Sequence, residues 1–260
     1  MSAVEKAFKD ATRPLLVGYL PAGYPTYDIA VEAMCAMVEA GVDIVEIGLP
    51  YSDPLMDGPV IEAAVDLALK RGTRTADVLR TVAAVAATGA PTFIMRYWNP
   101  LEQYGVARLA KDLAAAGGAG LITPDLLPEE AGEWIAAAAE NELDPVFLVA
   151  PSSTTERIRS TAAATRGFIY AASTMGVTGA RTAVASTAPA LVARVREQTD
   201  MPIGVGLGVS SGAQAAEVGQ YADAVIVGSA LVRALGDGGV DGVRALATDL
   251  AAGVRSVSRP

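Results

Sequence analysis

Short apolar runs alternate along the chain with longer, alanine-rich segments whose apolar positions recur at helical spacing. The runs predict strands at Leu15–Leu20, Asp43–Gly48, Pro91–Met95, Gly120–Thr123, Val146–Ala150, Phe168–Ala171, Ile203–Gly206 and Ala224–Gly228. Between them, helices are expected near 27–40, 60–71, 75–88, 103–116, 129–141, 154–163, 187–199 and 211–219, then a C-terminal helical region. The strand runs are apolar almost throughout, as parallel strands covered on both faces are. About eight β-α units in ~250 residues is the count of a closed (β/α)8 barrel. An open doubly wound sheet would show the same alternation, but no Gly-x-Gly-x-x-Gly follows the first strand. No Pro/Gly-rich linker divides the chain, so residues 1–260 read as a single α/β domain. The expected architecture is a (β/α)8 TIM barrel with an extra N-terminal helix, its active site at the C-terminal ends of the strands.

Composition narrows the functions open to such a barrel. At 52% hydrophobic and 19% charged, the 260 residues have enough apolar surface for one large core. Lys+Arg 20 against Asp+Glu 29, a net charge of −9, argues against a nucleic-acid or anionic-membrane partner. Histidine is absent, which excludes Ser-His-Asp and Cys-His chemistry and His-ligated metal, so no metal site is expected. The single cysteine, Cys35, reads as part of a buried helix face and not as a nucleophile. The start, MSAVEKAFKDATRP, is charged where a signal peptide needs an apolar run, and no stretch reaches the ~20 apolar residues of a membrane span. A cytoplasmic location is the expectation.

Lysines stand only at 6, 9, 70 and 111, none at the C-terminal end of a strand, so an imine-forming aldolase is not expected. Carboxylates are placed differently. Strand alternation puts Ile44, Glu46 and Gly48 on one face, and a mid-strand glutamate is costly to bury alone. Glu46 is either one half of a buried ion pair with an arginine or a catalytic carboxylate near the barrel mouth. The loop that follows, 49–59, is stiffened by three prolines and carries Asp53 and Asp57. Either aspartate could cap a turn or helix; Asp57 could instead bring a second acid/base group beside Glu46. Glycine-rich turns at 204–211 and 225–230 leave the last two strands and enter helices, the usual place for a phosphate in such barrels. The long, small-residue stretch 173–187 after strand six reads as a lid.

Together these segments resemble the tryptophan synthase α-subunit family. The resemblance is carried by Val45-Glu-Ile-Gly-Leu-Pro-Tyr-Ser-Asp-Pro-Leu-Met-Asp-Gly-Pro59, the most specific segment. It is joined by Leu20-Pro-Ala-Gly-Tyr-Pro25, Met95-Arg-Tyr-Trp-Asn-Pro100, Pro124-Asp125, Tyr170-Ala-Ala-Ser-Thr-Met-Gly-Val-Thr-Gly179, Gly206-Leu-Gly-Val-Ser210 and Val227-Gly-Ser229. The resemblance implies retro-aldol cleavage of indole-3-glycerol phosphate to indole and D-glyceraldehyde 3-phosphate. It assigns Glu46 as the mobile acid/base, Asp57 as the partner of the indole N–H, and Tyr170 as a positioner of Glu46. Phosphate contacts fall on Gly179, Gly208, Gly228 and Ser229, and Thr178 on the lid reaches toward Asp57. Tyr19, Ile61, Ile122 and Leu207 would line the indole pocket.

A partner is implied as well: the pyridoxal-phosphate-dependent β subunit, in an α2β2 heterotetramer, facing Pro50, Asp53 and Asn99. No cofactor is expected in this chain. Several positions depart from the family's usual residues. Tyr19 and Leu207 stand where phenylalanine is common, Thr174 where some members have arginine, and Arg96 where a small polar residue is common. Arg96, out of phase with Met95 and Tyr97, is expected to point away from the pocket and act on loop packing or the partner surface. Two other readings remain at this point: a noncatalytic subunit that only switches on a partner, and another phosphate-binding barrel enzyme such as an indole-glycerol-phosphate synthase. The latter should carry a strand-borne lysine.

Overall fold

The structure, a computed structural model, describes residues 1–54, 57–172, 187–206 and 208–259. Thr178, Gly179, Leu207 and nearly all of the expected lid lie outside the described residues. The strands are β1 (Leu15–Pro21), β2 (Ile44–Gly48), β3 (Thr92–Met95), β4 (Gly120–Thr123), β5 (Asp144–Val149), β6 (Ile169–Ala172), β7 (Ile203–Gly206) and β8 (Ala224–Val227). Each pairs in parallel with its neighbours in sequence, and β8 returns to pair with β1, closing the barrel. The helices are α1 (Ala3–Asp10), α2 (Tyr27–Ala40), α3 (Pro59–Lys70), α4 (Thr75–Ala86), α5 (Trp98–Tyr104), α6 (Val106–Ala115), α7 (Gly132–Glu140), α8 (Thr155–Ala164), α9 (Thr187–Arg196), α10 (Gly212–Gly219) and α11 (Ser229–Arg255).

Strand alternation sorts the apolar residues into two cores. Outward-facing residues such as Leu16, Val45, Ile47 and Val225 meet the helices. Inward-facing Leu15, Val17, Ile44, Phe93, Ile122, Val146, Phe168, Ala224 and Ile226 fill the barrel. The extra N-terminal helix explains how the barrel's lower end is kept dry. Ser2 and Glu5 form a reciprocal capping box that starts α1, with bonds of 3.2 and 2.7 Å. The helix then presents Val4 and Phe8 to the interior, and the Phe8 ring meets Phe168 at 5.7 Å between centroids. With the lower end plugged by side chains, the upper end is left for polar groups.

Several element boundaries differ from those expected, each for a local reason. The segment 103–116 is not one helix: Gly105, with φ +94°, separates α5 from α6. A turn in which the Glu130 N–H donates to the Leu127 carbonyl delays α7 to Gly132. The β5 strand starts two residues early, at Asp144, and runs through Pro145, whose carbonyl accepts the Arg166 N–H. The C-terminal region is two helical stretches meeting at Gly239, φ +61°. Cys35 is half-buried: the buried face of α2 runs through Met34 and Met37 and leaves position 35 at its edge.

Asp43, just ahead of β2, ties the barrel's first two strands together. Its carboxylate takes both Arg13 guanidinium nitrogens at 2.8 Å and the Leu16 N–H at 2.8 Å. Replacing it strands a backbone donor and a cation at once. Asp43→Ala is expected to cost about 2 kcal/mol of stability, read as a lowered urea midpoint with an unchanged slope.

Candidate active site

Three inward-facing side chains reach the upper end of the barrel: Tyr19 from β1, Glu46 from β2 and Tyr170 from β6. Register sets Glu46 between Tyr19 and Phe93 on the neighbouring strands. Glu46 is 1% exposed, and neither carboxyl oxygen has a hydrogen-bond partner among the described residues. Among the described residues no arginine pairs with it. Removal from water disfavours the charged form, and burial pushes the Glu46 carboxyl up to about 8. The carboxyl is thus mainly protonated at neutral pH.

Asp57 arrives on the loop after β2, and it does not cap α3. The cap residue there is Gly58, with no side-chain hydrogen bond. Instead Asp57 Oδ1 accepts the Tyr97 hydroxyl at 3.1 Å. Burial raises the Asp57 pKa, the Tyr97 hydrogen bond pulls it down, and Glu62 pushes it up. Tyr97 sits at the start of α5, 7% exposed, its ring 5.7 Å from that of Tyr51. The Tyr51 hydroxyl in turn accepts the Asn99 amide N–H at 3.1 Å. Asp125, after β4, holds the Trp98 N–H with both oxygens, at 2.9 and 3.1 Å. Sequence reasoning gave Tyr97 and Asp125 no role, although both stand in the segments that carry the family resemblance; pattern alone does not show that a loop carboxylate and a strand-end tyrosine will meet.

Missing side chains make room for the tyrosines. A β-carbon at Gly48 would lie 2.2 Å from the Tyr19 hydroxyl, and one at Gly206 would lie 2.8 Å from the Tyr170 hydroxyl. The two tyrosines therefore lean over strand-end glycines on neighbouring strands. Burial raises the Tyr170 pKa well above its usual value, and so, secondarily, do the nearby Glu46 and Tyr19. Tyr19 is raised by burial first, then by Asp57, Tyr97 and Glu46. Glu46 thus discourages both tyrosines from ionising, and Asp57 adds to the effect on Tyr19.

The two glycine turns differ. The turn after β7 supplies its own helix caps: Ser211 Oγ accepts the Gln214 N–H at 3.3 Å, and Gln214 Oε1 accepts the Ser210 N–H at 2.8 Å. The Gly212 N–H goes to Asp249 at 2.6 Å. After β8, by contrast, α11 begins at Gly228 with no side-chain cap, and Ser229 is buried beside it. Uncapped first-turn N–H groups suit an anion. Of the two turns, the one at Gly228 and Ser229 has the geometry an anion needs, with Gly208, φ +70°, at the edge of the neighbouring turn.

The tryptophan synthase alpha chain family model matches residues 6–257. The chain belongs to the tryptophan synthase alpha chain family. The alpha chain of Mycobacterium avium (strain 104) is 59% identical over 255 residues, covering 98% of this chain and 94% of that one. The alpha chain of Acidothermus cellulolyticus is 59% identical, with 98% of each chain covered. A solved structure of Mycobacterium tuberculosis tryptophan synthase superposes with a TM-score of 0.92 at 57% identity, covering 97% of this chain and 96% of that one.

Alpha-chain membership makes this a lyase and fixes which strand-end residues to compare with the expectations from sequence. Glu46, Tyr170 and Tyr19 come together, with Gly228 in contact range of Tyr19, and Asp57 is near enough to Tyr19 to raise its pKa. Ile122 is fully buried in the interior core with Phe93 and Phe168, and Ile61, 7% exposed, packs with the outer core. Of the expected partner-facing residues, Asp53 and Asn99 are exposed, whereas Pro50 is buried and shapes its loop from within. Arg96 faces outward as expected but offers no surface. It is 2% exposed, Nε and Nη1 lack partners among the described residues, and burial lowers its pKa to about 10. Its effect falls on packing near Tyr104.

Because Tyr19 occupies the space above Gly48, Gly48→Ala is expected to cost about 1–3 kcal/mol through overpacking. The combination with Tyr19→Leu should cost clearly less than the two changes summed, a coupling read from urea unfolding of the four proteins. Additive costs would mean that the ring moves aside freely.

Proposed function

We propose that this lyase cleaves indole-3-glycerol phosphate to indole and D-glyceraldehyde 3-phosphate with two carboxyl groups of opposite habit. The observation that carries the reading is the buried Glu46 carboxyl, unpaired among the described residues and pushed up to about 8. Protonated Glu46 delivers its proton to C3 of the indole ring, giving the indolenine cation. The ionised Glu46 then removes the proton from the adjacent glycerol hydroxyl. The carbon–carbon bond breaks, its electrons return to the ring as indole, and the hydroxyl carbon becomes the aldehyde of glyceraldehyde 3-phosphate. Glu46 ends protonated again, so one group serves as acid and as base. Asp57, as the carboxylate, accepts the indole N–H and stabilises the cationic ring between the two steps. Tyr170 keeps the Glu46 side chain over the ring. The phosphate rests on Gly228 and Ser229, with Gly208 and Gly179 completing the seat, and Thr178 reaches toward Asp57. Tyr19, Ile61, Ile122 and Leu207 enclose the indole.

The ring itself serves as the electron sink, which suits the residues present. Lys6 and Lys9 lie on α1 at the plugged end, Lys70 pairs with Asp66 on the outside of α3, and Lys111 lies on α6. None reaches the mouth to form an imine, which also sets aside the synthase-type barrel. The indole passes to a pyridoxal-phosphate-dependent β subunit in an α2β2 assembly; the cofactor belongs to that partner. Exposed Asp53 and Asn99 lie on the face offered to it. Among the described residues no helix is long and apolar enough to cross a membrane; a cytoplasmic location is part of the proposal. A noncatalytic activator would gain nothing from a buried carboxyl without a partner, so the catalytic reading is preferred.

The purified chain is expected to release indole slowly from indole-3-glycerol phosphate and much faster with a cognate β subunit. Glu46→Gln should abolish release while still activating the β subunit; persistent release would remove Glu46 from its role. Below about 8 the free enzyme holds the proton that begins the reaction, and above it that proton is lost. The value of kcat/KM should therefore fall as pH rises through about 8.

A further inference from the structure

Asp57 sits on a loop, yet its proposed task demands a fixed distance and angle to the indole N–H. Asp57 does not cap the helix that follows it, since the N-cap of α3 is Gly58. The constraint comes from across the mouth. Tyr97 lies two residues past the end of β3, and its backbone is pinned on both sides. The Arg96 N–H donates to the Ile122 carbonyl on β4 at 3.0 Å, and the Trp98 N–H is clamped by both oxygens of Asp125. The Tyr51 ring, on the loop after β2, lies against the Tyr97 ring at 36°. A hydroxyl on a residue 7% exposed, with its backbone held on both sides, is a firm anchor for a carboxylate on a loop.

We infer that Tyr97 is the positioning residue for Asp57. By donating to Oδ1 it fixes the carboxylate plane and leaves Oδ2 for the indole N–H. This inference rests on the reading of Asp57 given above. Burial sets the charge of Asp57 first, then Tyr97 from the loop after β3 and Glu62 from α3, and Tyr19 from β1 feels Asp57 in turn. Of these, the Tyr97 hydroxyl favours the carboxylate form, whereas burial and Glu62 oppose it. Tyr97 does not touch the reacting carbon and takes no proton in the balanced reaction.

The test is Tyr97→Phe, which keeps the ring and its packing on Tyr51 and removes only the hydroxyl. The hydrogen bond is charge-assisted, so its loss should lower kcat about ten-fold at the plateau. It should also move the acid limb of the pH profile up by about one unit. KM should change by less than about two-fold, since ground-state contacts are kept. Unchanged kcat and an unmoved acid limb would overturn the inference while leaving the cleavage reaction intact. A second measurement reads the contact without turnover: the Asp57 carboxyl titration followed by 13C NMR, with Asp57→Asn to assign the signal. Its midpoint should rise in Tyr97→Phe whether or not indole is formed, and a midpoint that stays in place overturns the inference. Failure of the unsubstituted chain to form indole would instead count against the reaction, with the titration still deciding the role of Tyr97.

Discussion

A carboxyl group buried without a partner is the constraint around which the upper half of this barrel is arranged. Strand β2 carries Glu46 inward at a depth where water is excluded, and its neighbours among the described residues are Tyr19, Phe93 and Tyr170. Leaving such a group unpaired is destabilising. It persists because the lower half of the barrel is packed with Phe8, Phe93, Phe168 and branched aliphatics, whose burial offsets it. The plug formed by α1 therefore belongs to the functional argument: it permits the mouth to be poorly satisfied.

The mouth separates its tasks onto different elements. In the proposed reaction, proton transfer falls to Glu46 on β2, stabilisation of the ring cation to Asp57 on the loop that follows, positioning of Glu46 to Tyr170 on β6, and the anion seat to the start of α11 after β8. Environment distinguishes the two acids. Burial alone pushes Glu46 up to about 8, whereas at Asp57, also raised by burial, the Tyr97 hydroxyl donor works against the rise. The same residue class thus serves two purposes because desolvation and hydrogen bonding push in opposite directions.

Much of this was legible in the sequence, for identifiable reasons. Continuous apolar runs are the mark of parallel strands, and a glutamate within one of them stands out because burial makes it costly. The absence of histidine and the placement of the four lysines narrowed the chemistry by simple exclusion. What did not show were relations between segments. Gly48 and Gly206 looked like ordinary strand-end glycines, and only the three-dimensional register reveals that each leaves space for a tyrosine from another strand. Tyr97 and Asp57 are 40 residues apart, so nothing local announces their hydrogen bond. The break at Gly105 and the half-exposure of Cys35 were misjudged because periodicity sets the type of an element better than its ends or edges.

The central claim, that Glu46 carries its proton at neutral pH, can be read directly from infrared difference spectra of the unsubstituted chain minus Glu46→Gln across a pH series. The account predicts a protonated carboxyl band present at pH 7 that disappears with a midpoint near 8. A band already lost in the ordinary carboxyl range would contradict it, and would mean that Glu46 finds a partner or water that stabilises its charge.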